Sequence, residues 1–184
     1  ARAAVESLCT LADCVSSHLF EGVAGPEENA DDVLFRAREA AAQDRHREAI
    51  ELYLRAVGAD SSLCSDVSLE LGHQYTWAGV PDSAIVWYEK HLLLNPGDLD
   101  AELGIARALS WADRLREAEA RYVSLLPQSG ERRNEVLLGL GKVKAWREDY
   151  GGAEKAYREV LGTDANDTDA AVDLGATLNW SGRH

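Results

Sequence analysis

A repeat of 34 or 35 residues limits the possible folds of this chain more than any other feature of its sequence. An alanine is followed four residues later by a tyrosine at Ala49/Tyr53, Ala84/Tyr88, Ala118/Tyr122 and Ala153/Tyr157. A tryptophan returns with the same period, at Trp77, Trp111, Trp146 and Trp180. Two independent markers with one period predict a repeat architecture, in which each unit is too small to bury its own apolar face and is stabilised by stacking on its neighbours.

Each predicted unit has the layout of two helices joined by a tight turn. A small residue stands five positions before each tryptophan, at Gly72, Ala106, Gly141 and Gly175, with Ala37 at the equivalent position of the first unit. Small residues allow two helix backbones to approach closely. Gly79, Asp113 and Gly182 follow a tryptophan by two positions, where the first helix should end. Pro81 falls at the start of a second helix, where its missing N–H costs nothing.

This arrangement resembles the tetratricopeptide repeat, a helix–turn–helix unit of about 34 residues. The units begin near Ala30, Ser65, Leu99, Asn134 and Thr168. The resemblance implies an all-α fold, a right-handed superhelical stack of helical hairpins known as an α-solenoid. The predicted organisation is an amphipathic helix at residues 1–21, a connector at residues 22–29, and an array of about four full units and a truncated fifth at residues 30–184.

The fifth predicted unit contains only its first helix. We therefore expect Leu174, Leu178 and Trp180 to remain partly uncovered, and to dock on further repeats of a longer protein or on a second copy of the chain. The sequence contains no methionine, which favours a processed form or a fragment of a larger protein.

Charge and motif content exclude several classes of function. The chain has 32 acidic and 19 basic residues and a net charge of −13, which repels nucleic-acid phosphates. It has no apolar run of about 18 residues, so we expect no membrane insertion. It contains no phosphate-binding loop, nucleophile elbow or zinc-protease motif, and its five histidines are scattered. We predict no enzymatic activity, no catalytic residue, no cofactor and no metal site. Cys9, Cys14 and Cys64 are predicted to be buried small side chains rather than a disulfide framework.

The resemblance also implies that partners bind in a concave groove lined by the first helices. A base recurs along that face in four units, at Arg38, His73, Arg107 and Lys142. Four residues before each base stands an aliphatic side chain, of which Leu69, Leu103 and Leu138 are candidate contacts. Two interpretations of the bases stay open. They either pair with acids near the first-helix starts, among them Asp66 and Glu135, or contact a ligand.

The four periodic tryptophans, which we call the indole ladder, also allow two interpretations. Each indole either packs toward the next hairpin under the stem of the preceding base, or offers an exposed apolar face to an extended ligand such as a peptide or a sugar chain. The pattern of Leu-Gly, a tryptophan and then Ala-x-x-x-Tyr is also similar to repeats of bacterial exopolysaccharide scaffolds of the kind that accompany cellulose synthase.

Together these observations predict a non-catalytic scaffold that binds a protein or peptide partner through its groove. The alternative is an envelope scaffold for exopolysaccharide synthesis or export, whose indole ladder contacts glycan. The second resemblance implies a periplasmic location, and without it we expect a cytoplasmic one.

Overall fold

The computed structural model describes residues 29–182, and the regular structure of that segment consists of α-helices and short 3₁₀ turns. The α-helices are, in chain order, α1 (Ala30–Ala42), α2 (His46–Ala59), α3 (Cys64–Trp77), α4 (Pro81–Leu94), α5 (Leu99–Trp111), α6 (Leu115–Leu125), α7 (Arg133–Trp146), α8 (Tyr150–Thr163) and α9 (Thr168–Trp180). The first helices of the predicted units, α1, α3, α5, α7 and α9, begin at the predicted residue or one residue before it. The predicted helix at residues 1–21 and almost all of the connector at residues 22–29 lie outside the described residues.

A left-handed residue closes the turn that follows each first helix. The residue two positions after the helix end has a positive φ at Asp44, Gly79, Asp113, Glu148 and Gly182. In the α3–α4 turn the next amide, that of Val80, donates to the carbonyl of Tyr75 at 2.9 Å, and the Asp149 amide donates to Lys144 in the α7–α8 turn at 2.8 Å. This six-to-one hydrogen bond is the Schellman ending of a helix. The turn makes each helix pair an antiparallel hairpin.

The described residues form two compact units, 29–104 and 105–182, with the boundary inside α5. In the described part of the first unit, α1 packs on α2, α2 on α3 and α3 on α4. In the second unit, α6 packs on α7, α7 on α8, and α9 on both α7 and α8. The repeated alanines, of which Ala49 and Ala153 are examples, have no exposed surface and belong to the core.

Cys64 is buried, as the sequence predicts. It is also disulfide-bonded, which the odd number and wide spacing of the cysteines did not indicate. None of the helices described here is long and apolar enough to cross a membrane.

Candidate functional site

The tyrosine of each repeat lies against first helices of the stack. Tyr88 shows the arrangement: its ring lies on Gly72 of its own hairpin and on Gly104 of the next first helix. A Cβ atom built on either glycine would lie 2.5 Å from a ring carbon, which is closer than packed side chains approach. Tyr122 lies in the same way on Gly139 of the following first helix. We call the contacts Tyr88/Gly104 and Tyr122/Gly139 glycine junctions.

At the other two tyrosines an acid stands at the position of that second glycine. The acid is Glu70 beside Tyr53, and Asp173 beside Tyr157. We call the contacts Tyr53/Glu70 and Tyr157/Asp173 acidic junctions. Each acid has a base from the preceding first helix as its partner: Arg38 Nη2 lies 3.1 Å from Glu70 Oε1, and Lys142 Nζ lies 3.5 Å from Asp173 Oδ2.

Burial and a nearby carboxylate both raise the pKa of the tyrosine at each acidic junction. Burial raises the pKa of Tyr157, and the Asp173 carboxylate raises it further. Burial and the Glu70 carboxylate likewise raise the pKa of Tyr53, against a smaller opposing effect of Arg38. One oxygen of each acid, Glu70 Oε2 and Asp173 Oδ2, is buried and accepts no hydrogen bond from the described residues. Each acidic junction therefore holds an acceptor whose hydrogen-bonding capacity is not used.

Three of the four predicted groove bases form ion pairs with a carboxylate of a later first helix. Arg38 pairs with Glu70, Lys142 with Asp173, and Arg107 with Glu135, whose Oε1 lies 3.3 Å from Arg107 Nη2. These contacts favour the interpretation that the bases pair with acids rather than contact a ligand. Of the three acids, only Glu135 lies near the start of a first helix, where the sequence analysis expected the partners. The fourth base, His73, lies with its ring centroid 5.6 Å from that of Tyr88. All three ion pairs are partly exposed, so we expect each to stabilise the fold by less than about 1 kcal/mol.

The predicted aliphatic contacts lie deeper than the bases. Leu103 is 2% exposed and belongs to the core. Leu69 and Leu138 are partly buried, and Leu138 packs against two core clusters of the second unit. These leucines therefore contribute mainly to helix packing. The exposed groups of the first-helix face are the indoles and the ion pairs.

Three members of the indole ladder surround one cavity in the second unit. Trp111, Trp146 and Trp180 are 46%, 48% and 56% exposed. They line a pocket of about 270 Å³ together with Lys142, Ala145, Tyr157, Asp173, Ala176 and Thr177. We call this cavity the tryptophan pocket. The Tyr157/Asp173 acidic junction and its Lys142 partner are thus part of its wall.

The fourth indole has different neighbours. Trp77 is 60% exposed and stacks on His46, with 6.2 Å between the ring centroids and 22° between the ring planes. His46 Nδ1 is hydrogen-bonded to Gln74 Oε1 at 2.9 Å. His46 does not belong to the periodic pattern of the sequence. His46 lies a few residues after the first helix of its unit. Only that position in the repeat could have indicated that it lies near the end of the next first helix.

A hydrogen-bonded serine, histidine and aspartate in the first unit were also not predicted. His91 Nδ1 lies 3.2 Å from Ser68 Oγ, and His91 Nε2 lies 3.2 Å from Asp98 Oδ2. Ser68 and His91 are buried, and the Ser68 hydroxyl lies within hydrogen-bonding distance of the Ser65 carbonyl. Asp98 caps α5 by accepting from the Asp100 amide at 2.9 Å. The three residues therefore connect α3, α4 and the start of α5.

Two further predicted features lie in the described segment. Within residues 29–182 no group of three or more histidine, cysteine or acidic side chains is arranged to hold a metal ion. On α9, Leu174 and Leu178 are partly buried, whereas Val172 and Trp180 are exposed. Docking of this helix on further repeats or on a second copy stays a prediction.

Solved structures show which known fold these hairpins adopt. The structure of MamA is similar with a TM-score of 0.66 and 19% sequence identity, over 79% of this chain and 84% of that one. A tetratricopeptide repeat protein from Parabacteroides merdae is similar with a TM-score of 0.69 and 16% identity, over 86% of this chain and 61% of that one. YrrB, described as a TPR protein with an unusual peptide-binding site, is similar with a TM-score of 0.62 and 18% identity, over 86% and 81%.

This is the tetratricopeptide-repeat fold. The prediction of an all-α stack of helical hairpins is confirmed. No family model and no curated protein matches the sequence. The resemblance to exopolysaccharide scaffolds is not shown by these similarities and stays a prediction.

Proposed function

We propose that the chain is a non-catalytic scaffold that binds an extended segment of a partner protein at the tryptophan pocket. The observation that carries this proposal is the arrangement of Trp111, Trp146 and Trp180 around one cavity, each about half exposed. Exposure of tryptophan to water is unfavourable, and tryptophans dominate the binding energy of protein interfaces when a partner covers them.

Trp87 supports this interpretation by contrast. It is 5% exposed, and Lys90 Nζ lies 3.7 Å from its ring centroid, so it is a packing residue. The ladder indoles are about ten times more exposed, which favours a role beyond packing. The peptide-binding site in the description of YrrB is consistent with a peptide ligand on this fold.

The proposal is tested by selecting peptides from a displayed random library on the immobilised chain. The affinity of the selected peptides is then measured with Trp146→Ala and Trp180→Ala. Each change should weaken binding by at least about tenfold, because truncating an interfacial tryptophan removes a large contact area. Phe35→Ala is the matched control, because Phe35 is an exposed aromatic residue of the first unit. Selected peptides that bind both tryptophan variants as tightly as the parent chain would exclude the pocket as the binding site.

A glycan ligand is the second candidate, and one observation favours it. The pocket combines flat indole faces with a donor, Lys142, and an acceptor, Asp173, which suits the stacking and hydrogen bonding of a sugar ring. The exopolysaccharide scaffold and its periplasmic location rest on this candidate. Titration with neutral oligosaccharides, followed by tryptophan fluorescence, tests it, and unchanged fluorescence across several glycans would remove its support.

A further inference from the structure

The Asp173 carboxylate is the feature of the tryptophan pocket that the proposed function leaves unused. Its Oδ2 atom is buried and accepts no hydrogen bond from the described residues. Lys142 Nζ lies 3.5 Å from the same oxygen, which is too long for a good hydrogen bond. A buried acceptor in this state is stabilised by any ligand group that brings an N–H donor to it.

The pocket walls favour a donor that also carries positive charge. The faces of the three indoles attract cations through their π electrons, and tryptophan does so more strongly than the other aromatic residues. Asp173 supplies negative charge in the same cavity. The whole chain carries a net charge of −13, which attracts basic ligands over a longer range and repels acidic ones.

Lys142 is the cation that now partners Asp173, and its contact is easy to replace. About 45% of its side chain is exposed, so its ammonium can turn into solvent on a flexible stem. A guanidinium is better matched to the site than an ammonium. It is planar, is less strongly hydrated, stacks on indole faces and donates two parallel N–H bonds to a carboxylate.

We propose that the tryptophan pocket receives an arginine side chain of the bound segment, whose guanidinium lies among the indoles and donates to Asp173 Oδ2 in place of Lys142. The inference rests on the proposed peptide-binding function. It predicts that the partners are basic, and it is an alternative to the binding of a neutral sugar chain in this pocket.

The test uses one peptide selected on the chain, synthesised with arginine, lysine or citrulline at the position that binds the pocket. Citrulline keeps the shape of arginine and removes its charge. We expect arginine to bind tighter than lysine, and citrulline to bind at least about tenfold more weakly than arginine. Higher salt should weaken the arginine peptide more than the citrulline peptide.

Two variants of the chain sharpen the test because they should act in opposite directions. Asp173→Asn removes the acceptor charge and should weaken the arginine peptide by at least about tenfold. Lys142→Gln removes the competing cation and should strengthen it by a few-fold. Asp169→Asn and Lys155→Gln change the same charges at exposed positions of α9 and α8 and serve as matched controls. Circular dichroism spectra of all four variants check that they are folded. If Asp173→Asn does not fold, the Lys142→Gln variant still tests the proposal.

Each result separates this inference from the function on which it rests. Peptides that need Trp146 but bind equally well with citrulline, or more weakly to Lys142→Gln, overturn the arginine site and leave peptide binding intact. Binding of a neutral oligosaccharide that Lys142→Gln weakens also overturns it. If no selected peptide depends on Trp146, the proposed function itself fails.

Discussion

The glycine junctions and the acidic junctions differ in the residue that lies beside the tyrosine ring. All four place a buried tyrosine against the following first helix. At Gly104 and Gly139 the ring lies directly on the glycine, where no side chain could fit. At Glu70 and Asp173 a carboxylate takes that position, pairs with a base from the preceding first helix, and keeps one buried oxygen that accepts no hydrogen bond from the described residues. The glycine junctions therefore depend on close packing of the ring against the helix, whereas each acidic junction places a carboxylate beside the ring.

Alanine substitution at a glycine junction should give the largest loss of stability. In Gly139→Ala the new Cβ would overlap the Tyr122 ring, which is buried, so that the ring or the helix must shift. We expect a loss of about 2 to 3 kcal/mol in the free energy of unfolding, measured by urea denaturation. The matched control is Gly162→Ala in α8, where no atom lies within 4 Å of the new Cβ. That change should stabilise the chain by about 0.5 kcal/mol. Equal effects at the two glycines would show that the ring does not close the junction.

Tyrosine titration reports the sign of the charge that lies beside each junction tyrosine. Burial raises the pKa of both Tyr122 and Tyr157, but the nearby Arg107 lowers that of Tyr122, whereas Asp173 raises that of Tyr157. Arg107→Gln should therefore raise the pKa of Tyr122, and Asp173→Asn should lower that of Tyr157. Ultraviolet absorbance measured against pH follows both ionisations. Shifts of the same sign in the two variants would contradict the comparison.

The same pKa values fix how stability depends on alkaline pH. The folded state holds the proton of each buried tyrosine above the ordinary tyrosine pKa of about 10, whereas the unfolded state releases it there. Stability is therefore retained below about pH 10 and falls as the pH rises above it. In Asp173→Asn the fall should be shallower, because Tyr157 then differs less between the two states. Denaturation midpoints measured across this range check the sign.

The sequence predicts the junctions better than the pocket, for a physical reason. The alanine–tyrosine pattern recurs once per repeat, so it reports the helix pairing directly, whereas Gly104 and Gly139 occur at their position in only two units. The partners of the bases are not periodic. Glu70 and Asp173 stand where two other units have glycine, so no regular spacing reveals them. Long side chains can also contact partners on a neighbouring helix at several positions. Arg107, for example, pairs with Glu135 at a glycine junction.

The smallest expected effect is the loss of an acidic junction's charge. Glu70→Gln keeps the shape of the side chain and removes the ion pair with Arg38, whose side chains are 33% and 53% exposed. Solvent screens such a pair, and the buried Oε2 atom accepts no hydrogen bond from the described residues that would stabilise its charge in the folded state. We expect the free energy of unfolding to change by no more than about 1 kcal/mol in either direction, measured by urea denaturation beside Gly104→Ala in the same unit. A loss as large as that of Gly104→Ala would mean that the acids hold the stack together, and their place on the first-helix face would then need no ligand to explain it.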